Sequence, residues 1–486
     1  MNLQALIHKL PVRSLHGSRE VEVMDFHFDS RAVGEGDMFV AMKGTQVDGH
    51  DYIESAIELG AKVIVAEQAP HESAEGLTWI EVEDSAHAMG LIASNFYGNP
   101  AAKIQVIGIT GTNGKTSVAT MLHTVFTSLG YHVGLVSTVE NKIGTTSVPA
   151  THTTPYAKKL HSLFADMVED GCNYCFMEVS SHALVQRRTA GVHFAGAVFT
   201  NITHDHLDYH GTFKEYIKAK KLLFDDLLPS AFALINIDDK NGRVMVQNSA
   251  AKVKTYATKR MADYHARFLE NTFEGLLLDI NGHEAWFRLL GAFNVWNLLA
   301  TYGVACEFGL EPEEILRAMS RLEGVPGRFE TVRAPGAPLA VVDYAHTPDA
   351  LNNVLTTLKD VIQGSGQLQV VVGCGGNRDA EKRPLMGKIA AELADRAILT
   401  SDNPRFEQPE SIINEMWEGV PVHLHRKVLR VSDRKEAIRL AISLSEPKDV
   451  ILIAGKGHET YQEIQGVKHP FDDRKVLRNL FKETIA

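Results

Sequence analysis

The stretch Ile104-Gln-Val-Ile-Gly-Ile-Thr-Gly-Thr-Asn-Gly-Lys-Thr-Ser117 decides the fold. Its apolar run, Ile104 to Ile109, reads as a buried strand. A glycine-rich loop follows. Val118, Met121, Leu122, Val125, Phe126 and Leu129 then recur at helical spacing until Gly130 stops the run. Strand, glycine loop and helix in this order form a cradle for nucleotide phosphates. Main-chain N–H groups close around phosphate oxygens, and the helix N-terminus adds positive partial charge. The cradle predicts phosphate contacts from Gly111, Thr112, Asn113, Gly114, Lys115, Thr116 and Ser117. Lys115 is expected to reach the β- and γ-phosphates, and the Thr116 hydroxyl to ligate Mg2+. The loop departs from the common form, because Ile109 stands where a glycine is usual and the glycines sit at Gly108 and Gly111.

A chain of 486 residues is too long for one core, and roughly 150 residues per domain suggests about three domains. With 44% hydrophobic and 22% charged residues, disorder is not expected. A net charge of −11 argues against broad nucleic-acid binding, so phosphate-binding cations must be gathered locally. Residues 1–20 carry charges without a long apolar core, and no run of about 18 apolar residues occurs. The expectation is a cytoplasmic chain with no membrane span, monomeric by default. Four cysteines suggest a reducing compartment. Cys172 and Cys175 form one CxxC, half of a zinc site, and Cys306 and Cys374 do not complete it in spacing. The pair leads into the apolar run Phe176–Val179 rather than opening a helix, so buried structural thiols are expected.

Strands are predicted at Met38–Ala41, Lys62–Ala66 and Thr78–Val82, with a helix near Tyr52–Leu59. Tyr97-Gly98-Asn99-Pro100 breaks the pattern. Further strands follow near Tyr174–Val179, Gly196–Thr200 and Phe232–Ile237, separated by helical stretches. Glycine and proline cluster again between Gly324 and Pro338. Beyond them Leu339–Val342, Leu368–Val372, Ala397–Thr400 and Val450–Ile453 are short apolar strands. The fold class is α/β in three domains: 1–97, a central P-loop unit at 98–329, and a Rossmann-like unit at 330–486. Each of the last four strands runs into a polar segment: 343–346, 373–379, 402–405 and 455–459. Doubly wound sheets bind ligands beyond the carboxyl ends of their strands, so these segments are expected to share one crevice edge.

Glu178 interrupts an apolar run at the end of a strand, where its carboxylate is placed to meet the magnesium of the cradle. Thr203-His204-Asp205-His206-Leu207-Asp208-Tyr209-His210 concentrates three histidines and two aspartates, which suits a metal site or a hydrogen-bonded loop. There is no HExxH to favour a zinc hydrolase.

Gly-Thr-Asn-Gly-Lys-Thr at 111–116, Glu178 in MEVSSH, His206 in DHLDYHG, Asn294 in GAFNVWN, Arg328 in PGRFE and Asp343 in DYAHTPDA together resemble the Mur ligases. The resemblance covers essentially the whole chain in the family's motif order. It implies an ATP-driven amide ligase of peptidoglycan precursor synthesis that works through an acyl phosphate. The first domain, HTTP, SSHAL and DNPR resemble the members that add the third stem residue, joining meso-diaminopimelate to UDP-N-acetylmuramoyl-L-alanyl-D-glutamate. Thr116, Glu178 and His206 are then implied as Mg2+ ligands, together with Lys220 as a carbamate. Lys220 stands fourteen residues after His206, which matches the family's modified lysine. Asn294, Arg328, Asp343, Tyr344 and His346 are implied at the ATP. Asp343 is expected to accept from a ribose hydroxyl, and Arg328 to fork onto phosphate.

Ser30 and His50 resemble the family's donors to the uridine end. Thr153, Thr154, Ser181, Gln186 and Arg188 resemble its contacts to the muramoyl peptide. Arg378, Asp402, Asn403, Arg405, Gly455 and Glu459 are implied at diaminopimelate, with Arg405 on its distal carboxylate and Glu459 facing its distal ammonium. Ser137–Gly144 departs from the glycine-tyrosine-arginine form associated with that position, which bears on sugar contacts near Asn141 and not on the reaction. Three alternatives remain at this stage. They are an L-lysine-adding Mur ligase, a folylpolyglutamate synthase-like ligase lacking the uridine domain, and a P-loop regulatory switch.

Overall fold

Among the described residues, short apolar runs alternating with amphipathic helices build three large sheets, each with its own core, and one two-stranded hairpin. The computed structural model describes residues 1–44, 47–68, 76–272, 274–362, 364 and 366–485. The side chain of Asp208 lies outside the described residues. The first sheet runs Val12–His16, Thr78–Val82, Val63–Ala66, Met38–Val40, Phe26–His27 across its width. Only its Val12–His16 edge is antiparallel. Asp84 starts the helix Ser85–Phe96 by accepting from the His87 N–H at 2.8 Å. That helix seals the sheet with Ala88, Met89, Ile92 and Ala93.

The central sheet has eleven strands. Gln105–Thr110 lies in the middle, with Phe194–Phe199 on one side and Tyr174–Glu178 on the other, all parallel. Lys252–Ala257, Phe232–Asn236 and Val133–Val136 extend the parallel region. Ile107, Ile109, Phe126, Phe176, Leu298 and Leu299 fill one side of this sheet. Val106, Phe164, Met177, Phe199 and Phe224 fill the other. Burial on both faces is what continuous apolar strands require. The sheet is also wider than the sequence pattern suggests. Antiparallel ribbons flank it: Tyr264–Thr272, Gly275–Ile280 and His283–Phe287 at one edge, Asn141–Ile143 and Thr146–Val148 at the other.

The third sheet runs Glu330–Val332, Leu339–Asp343, Val450–Ala454, Leu368–Val372, Arg396–Leu399, Val428–Arg430, parallel except for its first strand. The order switches between Val450–Ala454 and Leu368–Val372, so a crevice opens at their carboxyl ends. The buried Arg434 fastens this region. Its Nε and Nη2 donate to the two oxygens of Asp473, each at 2.8 Å, and Nη2 also donates to the Ala454 carbonyl at 3.0 Å. Among the described residues no helix is long and apolar enough to cross a membrane.

Candidate active site

The phosphate loop is shaped by contacts that leave no space for side chains. Gly111 has φ +153°, and a Cβ there would stand 1.9 Å from Thr200 Oγ1. Gly114 has φ +88°, and its Cβ would meet Asn297 Oδ1 at 2.6 Å. Between them the Asn113 N–H donates to Asn201 Oδ1 at 3.0 Å. The helix Lys115–Ser128 then begins with Thr116 and Ser117 buried at its mouth. Lys115 turns back on the loop and donates to the carbonyls of Gly111 and Thr112 at 2.9 and 2.8 Å. Burial pulls its pKa down, while Glu178 and Asp205 oppose that shift.

Glu178 pairs in register with Ile109, so its carboxylate emerges beside the phosphate loop. It is 1% exposed, and Oε1 accepts from the Thr138 N–H at 2.7 Å. His206 opens the turn Leu207–His210 at φ +54°. Its Nε2 lies 3.4 Å from Asp205 Oδ2, and burial lowers its pKa to about 4. Lys220 sits on the inward face of the helix Phe213–Asp225 at 1% exposure, unlike the solvated lysine that Lys214, Lys218 and Lys221 would suggest. Its Nζ donates to the Gly111 carbonyl at 2.7 Å and lies 4.7 Å from the Tyr216 ring centre. Burial, then the charge of Lys115, hold its pKa well below the ordinary lysine value.

The junction with the third unit, and the third unit itself, reach into this cluster. Arg328 Nη2 donates to Thr116 Oγ1 at 3.2 Å, and its guanidinium stacks 4.5 Å over the Tyr344 ring. Its Nε is buried and has no partner among the described residues. Asp349 Oδ2 accepts from Asn113 Nδ2 at 3.2 Å and Thr203 Oγ1 at 3.0 Å. A cavity of about 430 Å³ lies alongside, lined by Ser117, Met121, Asn294, Arg328 and Phe329. Asn294 reaches the cavity wall with its amide already used. It donates to the Leu290 carbonyl at 2.7 Å and accepts from Asn297 at 2.9 Å.

Asp343, expected as a ribose acceptor, is engaged by the main chain. Its two oxygens accept from the N–H groups of Phe329 and Ala345, each at 2.7 Å, and the side chain is 8% exposed. Its work in the structure is to hold the turn that presents Tyr344 and His346. His346 Nδ1 lies 2.9 Å from the Tyr344 carbonyl, and burial lowers its pKa to about 4.

At the crevice of the third sheet, Asn403, Lys456 and Glu459 form a closed group. Glu459 Oε2 accepts from Lys456 Nζ at 2.9 Å and from Asn403 Nδ2 at 2.8 Å. Thus the buried ammonium of Lys456 already faces Glu459, where only a ligand ammonium was expected. Arg405 stands at φ +52°, and its main chain pairs with Glu463 and Gln465 of a two-stranded hairpin. Its Nη1 donates to the Gly376 carbonyl at 2.8 Å and its Nε lies 3.3 Å from Glu463. Glu407, two residues on, holds Arg383. Arg378 is exposed on the neighbouring loop. Asp402 points inward, 4.0 Å from Arg434, and Gly455 lets it approach, since a Cβ there would meet it at 2.6 Å.

In the first unit, Ser30 is buried in the short turn Ser30–Ala32. His50 is not a spare donor. Its Nδ1 lies 2.6 Å from Asp48 and its Nε2 accepts from the Glu67 N–H at 3.0 Å, so one nitrogen is used within its own loop and the other across to the end of Val63–Ala66. In the central unit, Thr154 Oγ1 donates to the Glu178 carbonyl and accepts from the Ser180 N–H. Thr153 accepts from Thr138 Oγ1 at 3.0 Å. Ser181 lies 2.9 Å from His210. Gln186 accepts from Arg188 Nε and Nη2, and Arg188 lies 4.0 Å over the Tyr156 ring. Tyr216, Asp349 and Lys456 escaped the sequence reading, because Thr112, Asn113 and Asn403, which they meet, come from distant segments.

Three family models match the chain: "Mur ligase family, catalytic domain" over residues 26–97, "Mur ligase middle domain" over 109–305, and "Mur ligase, glutamate ligase domain" over 327–457. A relative from Cytophaga hutchinsonii, named UDP-N-acetylmuramoyl-L-alanyl-D-glutamate–2,6-diaminopimelate ligase, is 53% identical, with 99% of each chain covered. One of the same name from Bacteroides fragilis is 50% identical, with 100% of each covered. A solved structure of a ligase of that name matches with a TM-score of 0.71 at 32% identity, covering 100% of this chain and 99% of the other. Folylpolyglutamate synthase of Mycobacterium tuberculosis, at 18% identity and a TM-score of 0.63, shares the fold over 81% of this chain. With the phosphate cradle, the crevice and all three units matched in chain order, the chain belongs to the Mur ligase family.

Proposed function

We propose that the chain is the ATP-dependent ligase that joins meso-diaminopimelate to UDP-N-acetylmuramoyl-L-alanyl-D-glutamate, with domains meeting near residues 97/98 and 329/330. The observation that carries the reading is the meeting of Thr116 and Asn113 in the phosphate loop with Arg328, at the junction of the two units, and Asp349 of the third unit. That contact makes one crevice from two sheets. The names of the full-length relatives choose the substrates.

In this reading ATP phosphorylates the carboxylate of the dipeptide, the diaminopimelate amine attacks the acyl phosphate, and phosphate leaves. The protein's share is positioning and charge. Lys115 leaves the loop carbonyls for the γ-phosphate, and the unpartnered Arg328 Nε offers a further donor. The buried Glu178 carboxylate and Thr116 hydroxyl are a hard oxygen set that fits Mg2+, with His206 and a carbamate on Lys220 nearby. When bound, Mg2+ supplies charge neutralisation for the phosphate oxygens. Arg405 meets the distal carboxylate of diaminopimelate in place of Glu463, while Lys456 and Asn403 hold Glu459 in orientation. The uridine nucleotide lies toward the first unit, which Tyr156 and Phe28 join at a ring distance of 5.4 Å.

Phosphate release from ATP, measured with the UDP-muramoyl dipeptide and a panel of third amino acids, tests the reading. Release should require both co-substrates and be fastest with meso-diaminopimelate. Preference for L-lysine, or release without the uridine nucleotide, would overturn it.

A further inference from the structure

Cys172 follows Asp170 across the Gly171 turn that ends the helix Ala157–Glu169. The next residue, Asn173, donates from its main-chain N–H to the His132 carbonyl at 2.8 Å, which holds this turn against the approach to Val133–Val136. Three unlike donors therefore converge. His132 and Asp170 offer a nitrogen and an oxygen, Cys172 a sulfur, and these atoms all lie within 4.8 Å of one another. His132 Nε2 and Asp170 Oδ2 are 2.6 Å apart. The imidazole and carboxylate are 48% and 46% exposed, whereas Cys172 is 5% exposed. The group has a sulfur floor and an open rim.

A second observation concerns the space between the donors. Gly144, in the turn joining Asn141–Ile143 to Thr146–Val148, closes one side. A Cβ there would stand 2.6 Å from His132 Nε2 and 2.8 Å from Asp170 Oδ2. Gly144 stands at φ +56°, in the left-handed region, so this close backbone approach goes with a glycine turn. The buried His123 steadies the turn, with Nε2 3.3 Å from the Gly144 carbonyl.

We propose that His132, Asp170 and Cys172 form a binding site for a borderline divalent transition metal, Zn2+ by the chemistry of the donors, separate from the phosphate crevice. Mixed nitrogen, oxygen and sulfur donors suit Zn2+, whereas Mg2+ takes oxygen. A tetrahedral ion with bonds of about 2.0–2.3 Å sets its donors about 3.3–3.7 Å apart. The exposed side chains of His132 and Asp170 have the freedom to meet that spacing, and water completes the set at the rim. As the sulfur–metal bond forms, the Cys172 thiol gives its proton to solvent, and the His132–Asp170 contact is replaced by two metal bonds. Burial keeps that thiol protonated until then. The site lies at the amino ends of the strands Val133–Val136 and Tyr174–Glu178, opposite the end that presents Glu178. Cys175, wholly buried, remains a core residue.

Co2+ titration of the full chain tests this, because thiolate ligation gives a charge-transfer absorption that oxygen sites do not. The band should saturate near one ion per chain and disappear when Zn2+ is added. Cys172→Ser should abolish it, and His132→Gln and Asp170→Asn should each weaken Co2+ binding by ~10-fold or more. Cys306→Ser should leave it intact. No band under excess Co2+, or a band surviving in Cys172→Ser, overturns the proposal. Should Cys172→Ser fail to fold, the two variants at exposed positions decide it, and unchanged affinity in both overturns it.

Discussion

Lys115 and Lys220 donate to the same atom, the carbonyl oxygen of Gly111, at 2.9 and 2.7 Å. Two buried ammonium groups at one acceptor disfavour each other's charge. The pKa of Lys220 is accordingly held well below its ordinary value by burial and then by Lys115. A neutral amine is the form that attacks carbon dioxide: an N–C bond forms, one amine proton leaves, and a carboxylate-like group results. We therefore expect Lys220→Ala to cripple turnover and short carboxylates to restore part of it. Wild-type protein in 13C-bicarbonate should show a carbamate carbonyl signal that the variant lacks. A fully active enzyme with unmodified Lys220 and no such signal would refute the assignment.

Lys115→Ala should leave the fold intact, since the loop keeps its Asn201 contact and its glycine turns. It removes a cation from phosphates whose charge is neutralised in the transition state. A fall in kcat of ~10²–10³ is expected. A folded variant retaining more than about a tenth of the activity would place the electrostatic work elsewhere.

Arg405 should set the choice of amino acid. Its guanidinium is 22% exposed and lies against Glu463, so an incoming carboxylate exchanges one anion for another without leaving the cation bare. L-lysine brings no such group. A polar site can reject an analogue lacking its partner by ~10⁴-fold. The ratio of kcat/KM for meso-diaminopimelate over L-lysine should be large in the wild type. It should collapse in Arg405→Ala, mainly through loss of diaminopimelate use. An unchanged ratio would locate specificity in other residues.

Asp349→Ala should weaken the contact between the central and third units. Both Asn113 and Thr203 lose their acceptor, while Asp349 itself stands on the surface of its helix and not in a core. Loss of hydrogen bonds to a charged group costs about 1.5–3 kcal/mol, which corresponds to a drop in kcat/KM of about 10–100-fold. Unaltered steady-state kinetics would show that the contact is not used in turnover.

Acid sensitivity should arise in part from His161. It is wholly buried, its Nε2 meets the Ala190 carbonyl at 3.0 Å, and burial holds its pKa at about 4. The unfolded residue titrates near ~6.5, so between those values the unfolded chain binds the extra proton. Stability is thus present above ~6.5 and lost as pH falls toward 4, with a slope of up to about 1.4 kcal/mol per pH unit. His161→Phe should melt lower at pH ~7.5 yet lose less on transfer to pH ~5. Equal losses in both proteins would exclude His161 as a contributor.

Local pattern carried much of this architecture. Thr78–Val82 and Leu368–Val372 are strands at the boundaries their apolar runs suggest. The phosphate loop reads correctly because its determinants are consecutive. Tyr264–Thr272 escapes the pattern because its middle is exposed, with Phe268 and Leu269 set between Arg267 and Glu270, so neither alternation nor a long apolar run marks it. Asp343 and His50 look like ligand contacts in sequence, and the bonds they also make to the main-chain N–H groups of Phe329 and Glu67 are not legible in spacing. Lys456 looks like an ordinary loop lysine between Gly455 and Gly457. Its burial against Asn403 depends on a neighbour more than fifty residues away, which spacing does not reveal.

The staple from Asp343 to the Phe329 N–H has a mechanical corollary. It ties the residue next to Arg328 to the first parallel strand of the third sheet, so Arg328 travels with that sheet as one lever. Any swing of the third unit away from the central one draws the guanidinium off Thr116 in the same stroke. If the proposed function holds, grip on the nucleotide and admission of the amino acid are thereby geared together.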